Sequence, residues 1–209
     1  MRLRRVKNAL ETVENSKYII LKPETHKGKF NEIFGNNNPI YLEIGMGKGD
    51  FIIQNAINHP ENNYIGLEKY ESVQMRAVQK LESLEIPNLR LIHMDAENLN
   101  EVFDKEIDTI FLNFSDPWPK NRHAKRRLTS SFFLNIYDST FKDKPHIIQK
   151  TDNIGLFASS IVSLSEYGYT IHNCSLDLHN EDMENYETEY EHKFSSKGQK
   201  INYLDAVKE

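Results

Sequence analysis

The feature that most constrains this chain is the alternation of short apolar runs with stretches of helical periodicity. Apolar runs of strand length occupy residues 40–44, 63–68, 89–94, 107–113 and 145–150. Helical patterns follow at residues 50–58, 70–85, 97–104, 129–141 and 153–167. Strands that are apolar throughout are buried on both faces, and helices between them cover a parallel sheet. The sequence therefore predicts a doubly wound α/β fold.

The end of the chain departs from this alternation. Residues 168–176 and 199–207 are patterned as two more strands, which makes a seven-stranded, mostly parallel sheet. An acidic loop joins these two strands, and we expect them to pair antiparallel at the C-terminal edge. We assign residues 36–209 to a single domain and residues 1–35 to a basic N-terminal extension, as suits a chain of this length.

Other expectations concern individual side chains and the compartment. Thr129 is placed as the N-cap of one helix, and Thr151 or Asp152 as the N-cap of the next. Cys174 is the only cysteine, so no internal disulfide is possible, and we expect a buried thiol. No stretch approaches the roughly 20 apolar residues of a membrane span, and the basic start lacks the apolar region of a secretory signal. We therefore expect a cytoplasmic protein.

Charge is segregated along the sequence. The formal net charge of −5 by itself argues against a nucleic-acid partner. However, residues 177–191 hold seven acids and no lysine or arginine. The basic residues cluster at two places, which are Arg2, Arg4, Arg5 and Lys7, and then Lys120, Arg122, Lys125, Arg126 and Arg127. Such clusters can neutralise phosphates even on an acidic protein, and solvated basic loops are the alternative.

A glycine-rich turn follows the first predicted strand, where doubly wound folds bind their ligands. The segment LEIGMGKGDF carries Gly45, Gly47 and Gly49, with Glu43 just before them. A dinucleotide fingerprint would have its third glycine at position 50, where this chain has Asp50. The carboxylate of Glu43 would repel a pyrophosphate but suits a cofactor with a cationic amino-acid end. The pattern therefore favours S-adenosylmethionine over NAD.

Acidic residues follow the next two strands as well. Glu68 ends the second strand, nineteen residues after Gly49, the spacing at which a carboxylate accepts hydrogen bonds from ribose hydroxyls. Asp95 follows the third strand, where it could reach an adenine amino group. Each acid alone could be a helix cap or a solvated loop residue. Together with Glu43, acids at three consecutive strand ends are a more specific signal.

The fourth strand runs into the segment NFSDPWPKNRHAKRRL, residues 113–128. Pro117 and Pro119 flank Trp118, the only tryptophan, and they predict a rigid, extended exit from the sheet. Asp116 is then expected above the sheet, close to the transferred group. Trp118 offers a face on which a base can stack, and the basic run after it offers phosphate contacts. Core packing is the alternative interpretation of Trp118.

Taken together, these motifs, and above all SDPWPKNRHAKRRL, resemble the bacterial tRNA (guanine-N7)-methyltransferase family. The resemblance covers essentially the whole chain after its first 30 residues. It implies a Rossmann-like class I methyltransferase fold. It also implies transfer of a methyl group from S-adenosylmethionine to N7 of the variable-loop guanine of tRNA, at position 46.

The resemblance and the glycine loop also imply roles for individual residues. Cofactor contacts are expected at Glu43, Gly45, Gly47, Gly49, Glu68, Asp95 and Asp116, and Asp116 is also the expected catalytic residue. Substrate contacts are expected at Lys120, Arg122, His123, Lys125, Arg126, Arg127, Asp152, Thr188, Glu189, Tyr190 and Glu191. The expected partner is tRNA, with no membrane and no metal, and the chain could be a monomer or a homodimer.

The expected chemistry needs no general base, because guanine N7 carries a lone pair and no proton. Positioning and electrostatics should then supply most of the catalysis. A carboxylate at Asp116 would favour the positive charge that develops on the purine ring. Alternatively, Asp116 or Glu191 would accept hydrogen bonds from the guanine N1–H and amine groups and so select guanine over adenine.

Three other functions remain open from the sequence. A methyltransferase acting on an exocyclic amine of a nucleic acid usually carries Asn/Asp-Pro-Pro-aromatic, of which Ser-Asp-Pro-Trp-Pro is a loose relative. A non-enzymatic RNA-binding protein would carry a decayed cofactor loop, whereas the acids and glycines here are intact. An NAD-dependent oxidoreductase is disfavoured by Glu43 and Asp50. His172, Cys174 and His179 match no recognised zinc spacing.

Overall fold

The computed structural model describes residues 6–209, and Arg2, Arg4 and Arg5 of the N-terminal basic cluster lie outside them. The described chain forms one sheet of seven strands in the order β3-β2-β1-β4-β5-β7-β6. The strands are β1 (Ile40–Ile44), β2 (Asn63–Glu68), β3 (Leu89–His93), β4 (Thr109–Asn113), β5 (His146–Thr151), β6 (Tyr169–Ser175) and β7 (Asn202–Lys208). β1 to β5 run parallel, and β7 pairs antiparallel with both β5 and β6. The predicted doubly wound, mostly parallel sheet with an antiparallel C-terminal edge is confirmed.

Helices connect the strands and cover the sheet. They are α1 (Ala9–Glu14), α2 (Phe30–Phe34), α3 (Asp50–Asn58), α4 (Glu71–Leu81), α5 (Leu99–Val102), α6 (Ser131–Tyr137), α7 (Ile154–Glu166) and α8 (Glu189–Ser195). Among residues 6–209, no helix has both the length and the apolar character needed to cross a bilayer.

Two hydrophobic layers form, one on each face of the sheet. Ile40, Leu42 and Ile44 of β1 belong to one layer, and Tyr41 packs against the other. This alternation follows from the period of two in a β-strand. Because both faces are buried, the central strands are apolar almost throughout. Parallel strands also bring their carboxyl ends, where the acidic residues follow, to the same edge of the sheet.

The described part of the N-terminal region packs into these layers. Val13 and Tyr18 are buried in one layer, and Phe30 is buried in the other. The Tyr18 hydroxyl donates to the carbonyl of Leu84 at 2.6 Å, which ties this region to the segment that follows α4. The division of the chain after residue 35 stays a prediction.

The predicted helix caps are wrong by one or two residues. Ser130, not Thr129, precedes α6, and Thr129 is buried with its hydroxyl bonded to a serine of α7 at 2.8 Å. Asn153, not Thr151 or Asp152, caps α7, where its side chain accepts from a backbone N–H of the first turn. Thr129 was misassigned because its hydroxyl joins two helices that are distant in sequence.

The C-terminal region contains two further differences. Cys174 is exposed, not buried as expected, because β6 is an edge strand with solvent beside it. The acidic loop is not wholly irregular, since its last residues begin α8.

Candidate active site

A cleft of about 550 Å³ opens at the carboxyl ends of β1 to β4. Doubly wound sheets bind their ligands at this edge. Residues that sequence analysis placed at separate strand ends line it together, namely Gly45, Glu68, Asp95, Asp116, Trp118 and Arg126. The fold therefore brings four of the seven expected cofactor residues to one cavity, together with one expected substrate residue, Arg126. The cofactor residues that do not line it are Glu43, Gly47 and Gly49.

The glycine loop turns sharply at the end of β1. Gly45, Gly47 and Gly49 have φ angles of 75°, 59° and 79°, in the left-handed region that favours glycine. A Cβ atom on Gly45 or Gly47 would meet no atom within 4 Å, so the loop leaves open space around these two positions. A Cβ on Gly49 would lie 3.0 Å from the Cβ of Ala77, so the absence of a side chain there allows the loop to approach α4.

Glu43 is a buried carboxylate beside Asn113, which lines the cleft. Its Oε1 accepts a hydrogen bond of 2.8 Å from Asn113 Nδ2. Within residues 6–209, no group donates to Glu43 Oε2 or to Asn113 Oδ1. Burial raises the pKa of Glu43 to about 7, although the bond from Asn113 and the charge of Lys150 lower it. Two buried acceptors without donors are costly, and a cationic amine would satisfy both.

Glu68 and Asp95 are each held by the protein at the edge of the cleft. The Glu68 carboxylate accepts from three backbone N–H groups at 2.9 to 3.0 Å. One belongs to Gly47 of the glycine loop, and the other two belong to the two residues that directly follow Glu68. Burial raises the pKa of Glu68, and these hydrogen bonds oppose that shift. Asp95 caps a short 3-10 turn and lies 3.6 Å from the amine of Lys69. Asp95 therefore caps a turn and lines the cleft at once, so the two interpretations of this acid are compatible.

The loop after β4 places Asp116 and Trp118 at the cleft. Asp116 is exposed and makes no ion pair with any residue between 6 and 209. Phe114 and Trp118 have φ angles of 50° and 40°, a left-handed conformation that is rare for aromatic residues. Such strain of about 1–3 kcal/mol persists only where surrounding contacts enforce it.

The cations after this loop form a 3-10 turn at Asn121–Arg126, and we call residues 120–127 the basic turn. Four of its cations are exposed and make no ion pair in the described part of the chain: Lys120, Arg122, Lys125 and Arg126. The guanidinium of Arg126 lies 4.8 Å from the centre of the Trp118 ring, and the His123 ring lies 5.7 Å from it, edge-on. Arg127 is half-buried and turns back towards the preceding loop.

The acidic segment, residues 177–191, is anchored in the protein by Glu191. This side chain is fully buried, and its Oε2 lies 2.6 Å from the amine of Lys150, which is itself buried. Its Oε1 accepts from Asn185 Nδ2 at 2.7 Å. Burial lowers the pKa of Lys150, and the charge of Glu191 opposes that shift. Of the two acids considered for guanine recognition, Asp116 is therefore the accessible one, and the role of Glu191 stays a prediction.

The remaining predicted residues of this segment are closer to the surface. The Tyr190 hydroxyl donates to Asp152 at 3.1 Å, and its ring lies 5.1 Å from that of Phe114, which lines the cleft. Thr188 caps α8 through the backbone N–H of the third helical residue. Glu189 pairs with Lys48 of the glycine loop at 2.6 Å. The acidic segment is thus joined to both the glycine loop and the cleft.

Known proteins share this combination of fold and residues. A family described as "Putative methyltransferase" matches residues 37–204. The tRNA (guanine-N(7)-)-methyltransferase of Bacillus cytotoxicus is 50% identical over 209 residues, which cover 99% of this chain and 96% of that protein. The enzyme of the same name from Geobacillus sp. (strain WCH70) is 51% identical over 204 residues, covering 96% and 93%. This chain belongs to the tRNA (guanine-N7)-methyltransferase family.

Solved structures agree with the class I methyltransferase fold of the family. The 16S rRNA methyltransferase KamB superimposes with a TM-score of 0.66 at 14% identity, over 86% of this chain and 92% of that chain. A 16S rRNA (adenine(1408)-N(1))-methyltransferase from Catenulisporales acidiphilia, crystallised with the cosubstrate SAM, gives a TM-score of 0.61 at 15% identity, over 90% and 92%. At such identities the likeness concerns the fold alone.

Sequence analysis of this family member missed two residues of the site, Asn113 and Lys150. Asn113 is the last residue of β4 and Lys150 the last but one of β5, and both are buried. A polar residue at the end of a buried strand is a usable signal, because such residues are seldom buried without a partner. Their partners, Glu43 and Glu191, are 70 and 41 residues away in the sequence, and only the fold identifies them.

Proposed function

We propose that this chain transfers a methyl group from S-adenosylmethionine to N7 of a guanine in tRNA, and that this guanine lies in the variable loop. One observation carries the proposal: a single cleft joins Asn113, bonded to the buried Glu43, with the exposed Asp116 and the basic turn. The end of the cleft at Asn113 suits the cationic amino-acid group of the cofactor, and the end at Asp116 suits a base with its phosphates. The names of the relatives and the cosubstrate of one structural neighbour support it.

The residues of the cleft fit S-adenosylmethionine. Its ammonium group would donate to Glu43 Oε2 and Asn113 Oδ1, the buried acceptors that no group in residues 6–209 satisfies. A carboxylate has about four lone-pair sites, so Glu68 can still accept from ribose hydroxyls beyond its three backbone bonds. Asp95, at the next strand end, would accept from the adenine amino group.

S-adenosylmethionine supplies an electrophilic methyl group on a positively charged sulfur. Guanine N7 needs no deprotonation, so the protein contributes position and electrostatics. Asp116 is an exposed carboxylate at the cleft and makes no ion pair with the described residues. It would stabilise the positive charge that moves onto the purine ring as the methyl group is transferred.

Recognition of guanine would depend on the same loop. Trp118 is half-exposed, and the base would stack on the ring face opposite the guanidinium of Arg126. Asp116 would accept hydrogen bonds from the guanine N1–H and amine groups, and adenine offers no such pair of donors. Tyr190 and Asp152 remain proposed substrate contacts, because the Tyr190 ring packs near Phe114 at the cleft.

The basic turn would bind the phosphates around the target nucleotide. Its four exposed cations have no acidic partner among the described residues, so RNA phosphates would not displace an internal ion pair. Each neutralised phosphate releases counterions, which makes such binding depend on salt. The position of this turn beside Trp118 would place the bound backbone next to the stacked base.

The test is nucleoside mass spectrometry of unmodified tRNA after incubation with the protein and S-adenosylmethionine. We expect 7-methylguanosine, mapped to the variable loop by nuclease digestion. Asp116→Asn should lower the rate about 100-fold or more, the scale of removing a group that stabilises transition-state charge. Asp143→Asn, an exposed aspartate before β5 and outside the cleft, is the matched control and should keep the rate.

Three outcomes would contradict parts of the proposal. Methylation of an exocyclic amine would keep the cofactor and change the product. Cofactor binding without any methylation of tRNA would mean that the substrate is wrong. Full activity and unchanged base choice of Asp116→Asn would remove both roles given to Asp116.

A further inference from the structure

Arg127 differs from the other cations of the basic turn in what its guanidinium touches. Its Nε donates to the carbonyl of Pro117 at 3.2 Å, and one terminal nitrogen donates to the carbonyl of Trp118 at 3.1 Å. The side chain is half-buried, whereas its neighbour Arg126 is exposed. A guanidinium engaged in two bonds to its own loop has fewer donors left for a phosphate.

The loop that Arg127 contacts has little else to hold it. Pro117 and Pro119 have no N–H group, and residues 115–119 make no backbone–backbone hydrogen bond with any residue between 6 and 209. Within those bounds, the two bonds from Arg127 are the only hydrogen bonds that residues 115–119 make. Yet Trp118 adopts a strained φ of 40°, which needs an enforcing contact.

We propose that Arg127 is a positioning residue, which holds Asp116 and Trp118 over the cleft, and that it is not a phosphate contact. Its fork of two N–H donors fits two successive carbonyls, and a lysine cannot reproduce that geometry. Loss of these two bonds would remove the only hydrogen bonds that hold residues 115–119 to the described part of the chain. The kinetic consequence rests on the proposed methyl transfer, whereas the geometric consequence does not.

Trp118 is the only tryptophan of the chain, so its fluorescence reports on this loop alone. The experiment compares Arg127→Gln with Arg122→Gln, since each removes one positive charge from the basic turn. The readouts are acrylamide quenching of Trp118 in the protein without RNA, the salt dependence of tRNA binding, and kcat at saturating tRNA. Arg127→Lys is added to separate the charge of the side chain from its geometry, and thermal unfolding confirms that each variant is folded.

For Arg127→Gln we expect stronger quenching of Trp118, an unchanged salt slope, and kcat lowered by about 10- to 100-fold, the scale of misplacing a reacting group by about 1 Å. Arg127→Lys should behave in the same way. For Arg122→Gln we expect unchanged quenching and a salt slope smaller by about 1, as for loss of one phosphate contact.

Unchanged quenching in Arg127→Gln, or a salt slope that falls as in Arg122→Gln, would overturn the proposal. Full recovery by Arg127→Lys would also overturn it, because charge alone would then suffice. If the wild-type protein does not methylate tRNA, the proposed function fails, while quenching and salt slope still decide whether Arg127 holds the loop.

Discussion

The basic turn and the acidic segment carry opposite charges, but they differ most in how those charges are paired. Four cations of the basic turn are exposed and make no ion pair within residues 6–209. In the acidic segment, five of the seven acids lie in ion-pair contact with lysine or histidine. Most of the acids are therefore engaged with partners inside the protein, whereas the four cations remain available to a ligand.

This difference explains why net charge misleads for this chain. The formal charge of −5 sums over the whole chain and does not show which charges are paired, as Glu191 is with Lys150 and Glu189 with Lys48. The field that a nucleic acid meets depends on unpaired charges near the cleft, and these are positive in the basic turn. Four experiments test this difference between paired and unpaired charges.

The largest effect should come from the buried pair of the acidic segment. Lys150→Met leaves the buried Glu191 carboxylate without its lysine and with Asn185 and the His179 ring beside it, which should lower the free energy of unfolding by about 3–5 kcal/mol. Urea denaturation measures it. Lys200→Met is the control, since it removes the exposed partner of Asp177 and should cost less than about 1 kcal/mol. Equal losses in the two variants would mean that burial does not distinguish these pairs.

Glu43 is a buried acid whose nearest partner is neutral, so its response to pH should differ from that of the acidic segment. Its pKa of about 7 in the folded protein lies above its ordinary value of 4.5, so the folded state holds the proton more tightly. The stabilisation from this protonation is complete below pH 4.5 and is lost as pH rises through about 7.

Glu43→Gln removes this dependence. As pH rises from 4.5 to about 7, the wild type loses this stabilisation and the variant does not. The free energy of unfolding of the variant should therefore gain about 3 kcal/mol relative to the wild type, which is the free-energy equivalent of the pKa shift. Urea titrations of the cofactor-free protein at several pH values measure the gain. A constant difference between the two proteins would contradict the raised pKa. Bound S-adenosylmethionine should reduce the gain, because its ammonium would stabilise the ionised carboxylate.

A smaller effect should come from the basic turn. Arg122→Gln and Lys125→Gln should each lower the slope of log affinity against log salt for tRNA by about 1, as expected for one phosphate contact. Filter binding over a range of salt concentrations measures it. Lys142→Gln, an exposed cation outside the turn, should leave the slope unchanged. If neither of the first two variants changes the salt slope, the basic turn does not contact RNA phosphates.

The smallest effect should come from the exposed pair of Glu189 and Lys48. The hydrogen bond from Lys48 lowers the pKa of Glu189, so this contribution to stability is present above the ordinary pKa and lost as pH falls through the lowered one. Both side chains are about half exposed, so Glu189→Gln should cost less than about 1 kcal/mol at neutral pH. A loss as large as that of Lys150→Met would show that exposure does not weaken the pair.

Much of the fold could be predicted because its signals are local. An apolar run such as residues 63–68 reports a strand buried on both faces without reference to its neighbours. The placement of Glu68 and Asp95 at one cleft also followed, because parallel strands share one carboxyl edge. Helix starts were less predictable, since Thr129 has the right chemistry for a cap but is bonded to another helix.

The order of the strands and of the helices between β1 and β6, the family, and the residue types that follow each strand can all be read from the sequence. Which of those side chains have partners depends on the folded chain. Glu191 and Lys150 are 41 residues apart, and no local pattern marks them as a buried pair. Arg127 has the same charge as Arg126, yet it bonds to its own loop because the chain folds back there. Periodicity is a property of neighbouring residues, whereas the pairing of charges depends on which distant segments the fold brings together.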